Sequence, residues 1–189
     1  ICLGCFLCGF HWNRLGRLRT PDVSTVTEFD LSRVAVGGLG LTGRALIEAL
    51  IARGHHVVVT DDQPEAVMKT ASELAVEIVD STSEADLAEL LNRVETVVAS
   101  PGIPRHHKLL RMADEKDIVV LSELDVGAFW DQRPRVAVTG TNGKTTVTEL
   151  TAGILNNSEV RAAAVGNTEV SFVKAVTGQY DDTEVFVVE

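Results

Sequence analysis

Lysine is scarce in this 189-residue chain. Lys69, Lys108, Lys116, Lys144 and Lys174 are its only members among 17 basic residues, set against 27 acidic ones for a formal net charge of −10. Such a chain lacks the positive face that general nucleic-acid binding requires. A single phosphate site stays open, because a few converging backbone N–H groups can hold an anion inside an acidic protein. Low lysine with excess Asp and Glu would also suit a salt-adapted surface. Cysteine is absent after Cys8, and Cys2, Cys5 and Cys8 lack the fourth cysteine of an iron–sulfur set. His11 could complete a zinc set on paper, but the plainer reading is an apolar extension. The apolar run from Ile1 to Phe10 is too short to span a bilayer. Arg14, Arg17 and Arg19 follow it rather than precede it, unlike a signal peptide. The chain begins with Ile1, and its only methionines are Met68 and Met112. Residues 1–29 are therefore expected to lie outside the fold, as a leader or a misassigned start. With no export signal, a cytoplasmic setting is the default. Hydrophobic residues at 45% suffice for a buried core, which excludes a disordered chain.

From Arg33 onward, short β-branched runs alternate with longer amphipathic ones. Strands are expected at 33–36, 56–60, 76–79, 96–99, 118–121, 135–138, 160–165 and 184–188. Helices are expected at 42–53, 65–74, 84–92, 107–115, 123–129, 145–155 and 170–176. Ala45, Leu46, Ala49 and Leu50 form one apolar stripe of helical period. Strand–helix alternation predicts an α/β fold of parallel sheets joined by right-handed crossovers. The polar stretch Asp131-Gln132-Arg133-Pro134 marks a boundary. It separates one complete unit, residues 30–131, from the start of a second, residues 132–189. The final run, Glu184 to Glu189, reads as a buried strand without a turn or cap, so the C-terminus is expected to be truncated.

Two glycine loops carry the chemistry. Val136-Ala137-Val138 runs into Thr139-Gly140-Thr141-Asn142-Gly143-Lys144-Thr145-Thr146, a shortened form of the phosphate loop between strand and helix. Its backbone N–H groups would converge on phosphate at a helix N-terminus, with Lys144 against the β- and γ-phosphates and the Thr145 hydroxyl on Mg²⁺. That pattern points to ATP and Mg²⁺. Earlier, Gly38-Leu39-Gly40-Leu41-Thr42-Gly43 matches the G-x-G-x-x-G turn of Rossmann-like domains. Asp61 and Asp62 follow 21 and 22 positions after Gly40. By spacing, NAD is the first guess, but the pattern leaves the kind of diphosphate nucleotide open. A third loop, Ser100-Pro101-Gly102-Ile103-Pro104, either joins the same rim or is a plain turn.

In their order and spacing, Gly38–Gly43, Ala99-Ser100-Pro101-Gly102-Ile103 and Thr139–Thr146 resemble the Mur ligases. The resemblance implies a Rossmann-like domain that holds a UDP-sugar peptide rather than NAD, followed by the start of a P-loop ATPase domain. Gly40, Leu41, Thr42, Asp61, Asp62, Ser100, Gly102 and Asn167 match the substrate-binding positions. Gly140, Thr141, Asn142, Gly143, Lys144, Thr145 and Thr146 match the ATP loop, Lys144 being the catalytic residue. Thr145 and Glu189 match the Mg²⁺ ligands. Around Asn167 the chain reads Gly166-Asn167-Thr168-Glu169, where the family reads Gly-Asn-Ile-Gly.

The implied reaction, in peptidoglycan precursor synthesis, forms an amide from UDP-N-acetylmuramoyl-L-alanine and D-glutamate through an acyl phosphate. The resemblance also implies a monomer at full length, with no nucleic-acid or membrane partner. The second metal site and the amino-acid domain would lie beyond Glu189, leaving this piece inactive alone. Three alternatives stay open: another Mur-like amino-acid ligase, a non-catalytic nucleotide-binding module, and an NAD-dependent dehydrogenase fused to a kinase-like domain. For single residues, Asp62 and Thr146 could simply cap helices.

Overall fold

In the computed structural model, which describes residues 29–166 and 170–189, five valine-rich strands form the first sheet. They are β1 (Arg33–Gly37), β2 (His56–Asp61), β3 (Glu77–Asp80), β4 (Thr96–Ala99) and β5 (Val119–Ser122). All pair in parallel, in the order β3-β2-β1-β4-β5. The helices α1 (Leu41–Ala52), α2 (Pro64–Glu73), α3 (Glu84–Leu91) and α4 (Lys108–Glu115) supply the crossovers. This is the α/β arrangement expected from the alternation, in the Rossmann strand order.

Burial follows the sequence periods. Leu46, Ile47 and Leu50 of α1 are buried with the sheet valines. Leu87, Leu90, Leu109 and Leu110 of α3 and α4 pack with Ala35, Val58 and Val97 in one cluster. Each of these leucines and valines contributes roughly 2 kcal/mol relative to exposure. Ser83 caps α3 by accepting the Asp86 N–H, and His107 caps α4 by accepting the Leu109 N–H through Nδ1. Strand order then sets the site. The chain leaves β1 toward β2 on one side and enters β4 on the other, so a crevice opens outside the carboxyl ends of β1 and β4.

A second unit begins at Leu124. Helix α5 (Glu123–Trp130) leads to β6 (Arg135–Ala137), α6 (Lys144–Asn157), β7 (Ala162–Val165), α7 (Phe172–Lys174) and β8 (Val185–Val188). The three strands are parallel in the order β6-β8-β7. Its core holds Val165, Phe172, Ala175, Phe186 and Val188. The rings of Phe172 and Phe186 meet edge to face at 5.4 Å, and the Arg133 guanidinium lies 4.5 Å above Phe186.

The contacts divide the chain after Glu123, the first residue of α5, ahead of the polar stretch that marks the boundary in the sequence. Gly127 supplies the reason. Added there, a Cβ would stand 2.6 Å from the Phe172 ring, so its absence lets α5 pack on the second core. Two other elements also differ from expectation. β7 starts at Ala162 rather than at 160, because the Val160 N–H turns back to the Leu155 carbonyl. The helix expected at 170–176 is one short turn continued by a π turn (Ala175–Gln179), ended by Gly178 at φ 118°. The stretch 1–29 expected as a leader, with Cys2, Cys5, Cys8 and His11, lies outside the described residues except for Phe29, as does Asn167. Among the described residues, no helix is long and apolar enough to cross a membrane.

Candidate functional site

The β1–α1 turn, the end of β2 and the loop after β4 enclose a cleft of about 300 Å³. Six residues singled out in the sequence line it together: Gly40, Thr42, Asp61, Asp62, Ser100 and Gly102. Leu41, a seventh, is the first residue of α1.

The three glycines of the turn do different work. Gly38 takes φ 84°, a conformation that favours glycine. A Cβ on Gly43 would stand 2.1 Å from the Gly38 carbonyl oxygen, so Gly43 permits the helix to start against the turn. Gly40 has an ordinary φ of −77°, and a Cβ there would meet nothing within 4 Å. Neither backbone nor packing demands glycine at 40. The open space above it is where a diphosphate can come close to the N-terminus of α1. The Ser100 hydroxyl donates to the Gly38 carbonyl at 3.1 Å and ties the third loop to the first.

Asp61 and Asp62 divide the remaining roles. Both Asp61 oxygens accept backbone N–H groups, Oδ2 from Leu39 at 3.0 Å and Oδ1 from Gln63 at 2.9 Å. Asp61 is thus a staple between the glycine turn and β2. Asp62 accepts the Ser81 hydroxyl and His107 Nε2–H, both on Oδ1. With Nδ1 accepting from Leu109, the neutral ring carries its proton on Nε2 and donates it to Asp62 at 2.8 Å. Asp62 caps no helix, since the N-cap of α2 is Gln63.

The Ser81 hydrogen bond, then that of His107, hold the Asp62 carboxyl below the usual carboxylate range against a smaller opposing effect of burial. A lowered carboxyl pKa means that the stabilisation is present above the unfolded value and is lost as pH falls through the folded one. In a carboxyl-carbon NMR titration, Ser81→Ala is expected to move the Asp62 midpoint upward. An unmoved midpoint would show that the serine does not hold the charge.

The second unit carries the other loop. Gly143, at φ 74°, is the N-cap of α6 and offers no side chain to its first N–H groups. Gly140 (φ 157°), Thr141 and Asn142 are exposed, and Lys144 opens the helix half-buried. Thr146 lies inside the first turn rather than at the cap. The loop is held by β8, where the Val138 N–H donates to the Val188 carbonyl at 2.8 Å. The Thr145 hydroxyl donates to Glu189 Oε2 at 2.5 Å, across 44 positions of sequence. Gly166 makes room for that end of the chain, because a Cβ on it would stand 2.5 Å from the Glu189 carbonyl oxygen. Among the described residues, no three His, Cys, Asp or Glu side chains gather as a metal set.

Sequence reasoning did not identify Thr60, Ser81 or His107, which also line the cleft. None belongs to a spacing motif. Only a pairing of His107 and Ser81 with the acidic pair at the end of β2 could have found two of them.

Comparison with known proteins adds the following. The description "Mur ligase MurD-like, N-terminal domain" matches residues 32–122, and "Mur ligase middle domain" matches residues 138–189. The UDP-N-acetylmuramoylalanine–D-glutamate ligase of Syntrophus aciditrophicus is 39% identical over 148 residues, covering 77% of this chain and 33% of the relative. The ligase of that name from Bacillus cytotoxicus is 35% identical over 146 residues, covering 77% and 32%. The chain therefore spans about a third of the length of these relatives. A solved UDP-N-acetylmuramate:L-alanyl-gamma-D-glutamyl-meso-diaminopimelate ligase from Neisseria meningitides aligns at TM-score 0.49 and 17% identity, over 85% of this chain and 52% of its own. With the two domain matches in chain order, each over one of the two glycine loops, the chain belongs to the Mur ligase family.

Proposed function

We propose that the first unit, up to Glu123, forms the UDP-substrate domain, and the second, from Leu124, the opening of the ATP-binding domain, of a ligase that adds D-glutamate to UDP-N-acetylmuramoyl-L-alanine. One observation carries this reading: a single cleft gathers Gly40, Thr42, Asp62, Ser100 and Gly102 at the switch point of the sheet. In a dinucleotide site the acid after the second strand takes the ribose hydroxyls. Here each oxygen of Asp61 accepts one backbone N–H and keeps a further acceptor site toward the cleft it lines, so the acid by itself fits either nucleotide.

The chemistry is ATP-dependent amide formation. The carboxylate of the substrate attacks the γ-phosphorus of ATP, and ADP leaves. The amine of D-glutamate then attacks the acyl carbon, and phosphate departs from the tetrahedral intermediate. Lys144 and the N–H groups at the start of α6 stabilise charge on the phosphates, which is positioning and electrostatics rather than covalent work. Thr145 and Glu189 offer a hydroxyl and a carboxylate, the hard oxygen donors that Mg²⁺ accepts alongside phosphate and water. When bound, Mg²⁺ neutralises phosphate charge. The setting is cytoplasmic, and the full-length enzyme is a monomer.

Calorimetric titration of this chain with UDP-N-acetylmuramoyl-L-alanine and, separately, with NAD tests the reading. Saturable binding of the UDP compound and none of NAD is expected. The reverse result would replace it with a dinucleotide site.

A further inference from the structure

Thr60 stands apart in the cleft wall. It is 1% exposed, and its hydroxyl is the one buried side-chain polar atom among the described residues with no hydrogen-bond partner. Its backbone is occupied, since the carbonyl accepts the Gly38 N–H at 2.8 Å. Its side chain has no polar strand neighbour to use: in register it faces Gly37 on β1 and Val79 on β3. Alternation along β2 puts Thr60 on the face of Val58, whose cluster includes Leu109 of α4.

Shape and strand propensity at this position ask for no more than valine, which already fills positions 57, 58 and 59. A threonine hydroxyl there keeps its desolvation cost without a compensating bond. Yet Thr60 lines the same cleft as Asp62, Ser81 and His107. Thr60 thus joins two features, a buried unpartnered hydroxyl and a place among the residues that line a cleft where a ligand is expected.

We propose that the Thr60 hydroxyl is a positioning group for the nucleoside part of the bound substrate, hydrogen-bonding a polar atom of it. This inference rests on the UDP-substrate reading above. Thr60 sits at the carboxyl end of β2 beside the acidic pair, whereas the diphosphate is drawn to the start of α1. Its partner is therefore the nucleoside and not the sugar peptide.

The test compares wild type, Thr60→Val and Thr60→Ser in the full chain, titrated with UDP and with UDP-N-acetylmuramoyl-L-alanine, alongside Tm without ligand. Valine is nearly isosteric and removes only the hydroxyl, so Thr60→Val is expected to keep or raise Tm. It should weaken both ligands by about tenfold, with Thr60→Ser recovering most of the loss. A raised Tm with both affinities unchanged would make the hydroxyl a mere buried orphan and overturn the proposal. A lowered Tm would place the hydroxyl's partner in the free protein and overturn it equally. Weakening of the sugar-peptide compound alone would refute the nucleoside assignment. If wild type binds neither compound, the UDP-substrate reading itself fails, and this inference with it.

Discussion

Lys144→Ala is expected to lower ADP formation on the order of 10³-fold in a ligase carrying this chain, while leaving UDP-substrate affinity in the first unit unchanged. The ammonium opens α6 directly after the left-handed Gly143. There its charge adds to the partial positive charge of the helix N-terminus, where the phosphates gather negative charge as the γ-phosphoryl moves. Alanine is a good helix former, so the substitution removes the charge without disturbing α6. A steady-state ADP assay and a calorimetric titration with the UDP compound, run on the same variant, separate the two sites. Equal loss in both measurements would sink the assignment of one loop to ATP and the other to the UDP substrate.

The glycine turn in the first unit gives the second large effect, and its two helix-side glycines are expected to answer oppositely. Alanine in place of a helical glycine normally gains about 1 kcal/mol. At Gly43 the added Cβ would stand 2.1 Å from the Gly38 carbonyl and 3.1 Å from the Ser100 hydroxyl. A backbone carbonyl cannot swing aside as a flexible side-chain end can. The overlap therefore outweighs the propensity gain, and Gly43→Ala is expected to destabilise by about 2–3 kcal/mol. It should also pry apart the two loops that form the cleft. At Gly40 the new Cβ meets nothing within 4 Å, so Gly40→Ala should leave stability within about 0.5 kcal/mol. It should nevertheless weaken the UDP substrate, because the methyl occupies the diphosphate's approach. Thermal melts and ligand titrations on both variants check this. A Gly40→Ala variant that binds as wild type would put the diphosphate elsewhere.

These residues also mark how far the sequence can be read. The strand at 96–99 falls where the valine run places it, and of the stripe Ala45, Leu46, Ala49 and Leu50 all are buried except the half-buried Ala45. Both glycine loops were legible, because a strand, a tight turn and a helix start are encoded within about ten neighbouring residues. The same locality explains the displaced boundary. Whether α5 belongs to the first or the second unit depends on Gly127 receiving a ring from Phe172, a contact that no local pattern announces.

By itself the sequence determined the α/β alternation, the parallel sheets, both glycine loops and the likeness to the Mur ligases, since all of these rest on short-range period and spacing. Only the tertiary structure decided which partners each of the two acids takes. Asp61 and Asp62 are adjacent and chemically identical, and spacing fits both. The strand order β3-β2-β1-β4-β5 brings the Leu39 N–H to Asp61 from 22 positions away, and Ser81 and His107 to Asp62 from 19 and 45 positions away. The same order leaves Thr60, a residue that lines the cleft, with its buried hydroxyl unpartnered. Hydrogen bonding at a sheet rim depends on which strands are neighbours, and that is a property of the folded chain rather than of any local run of residues.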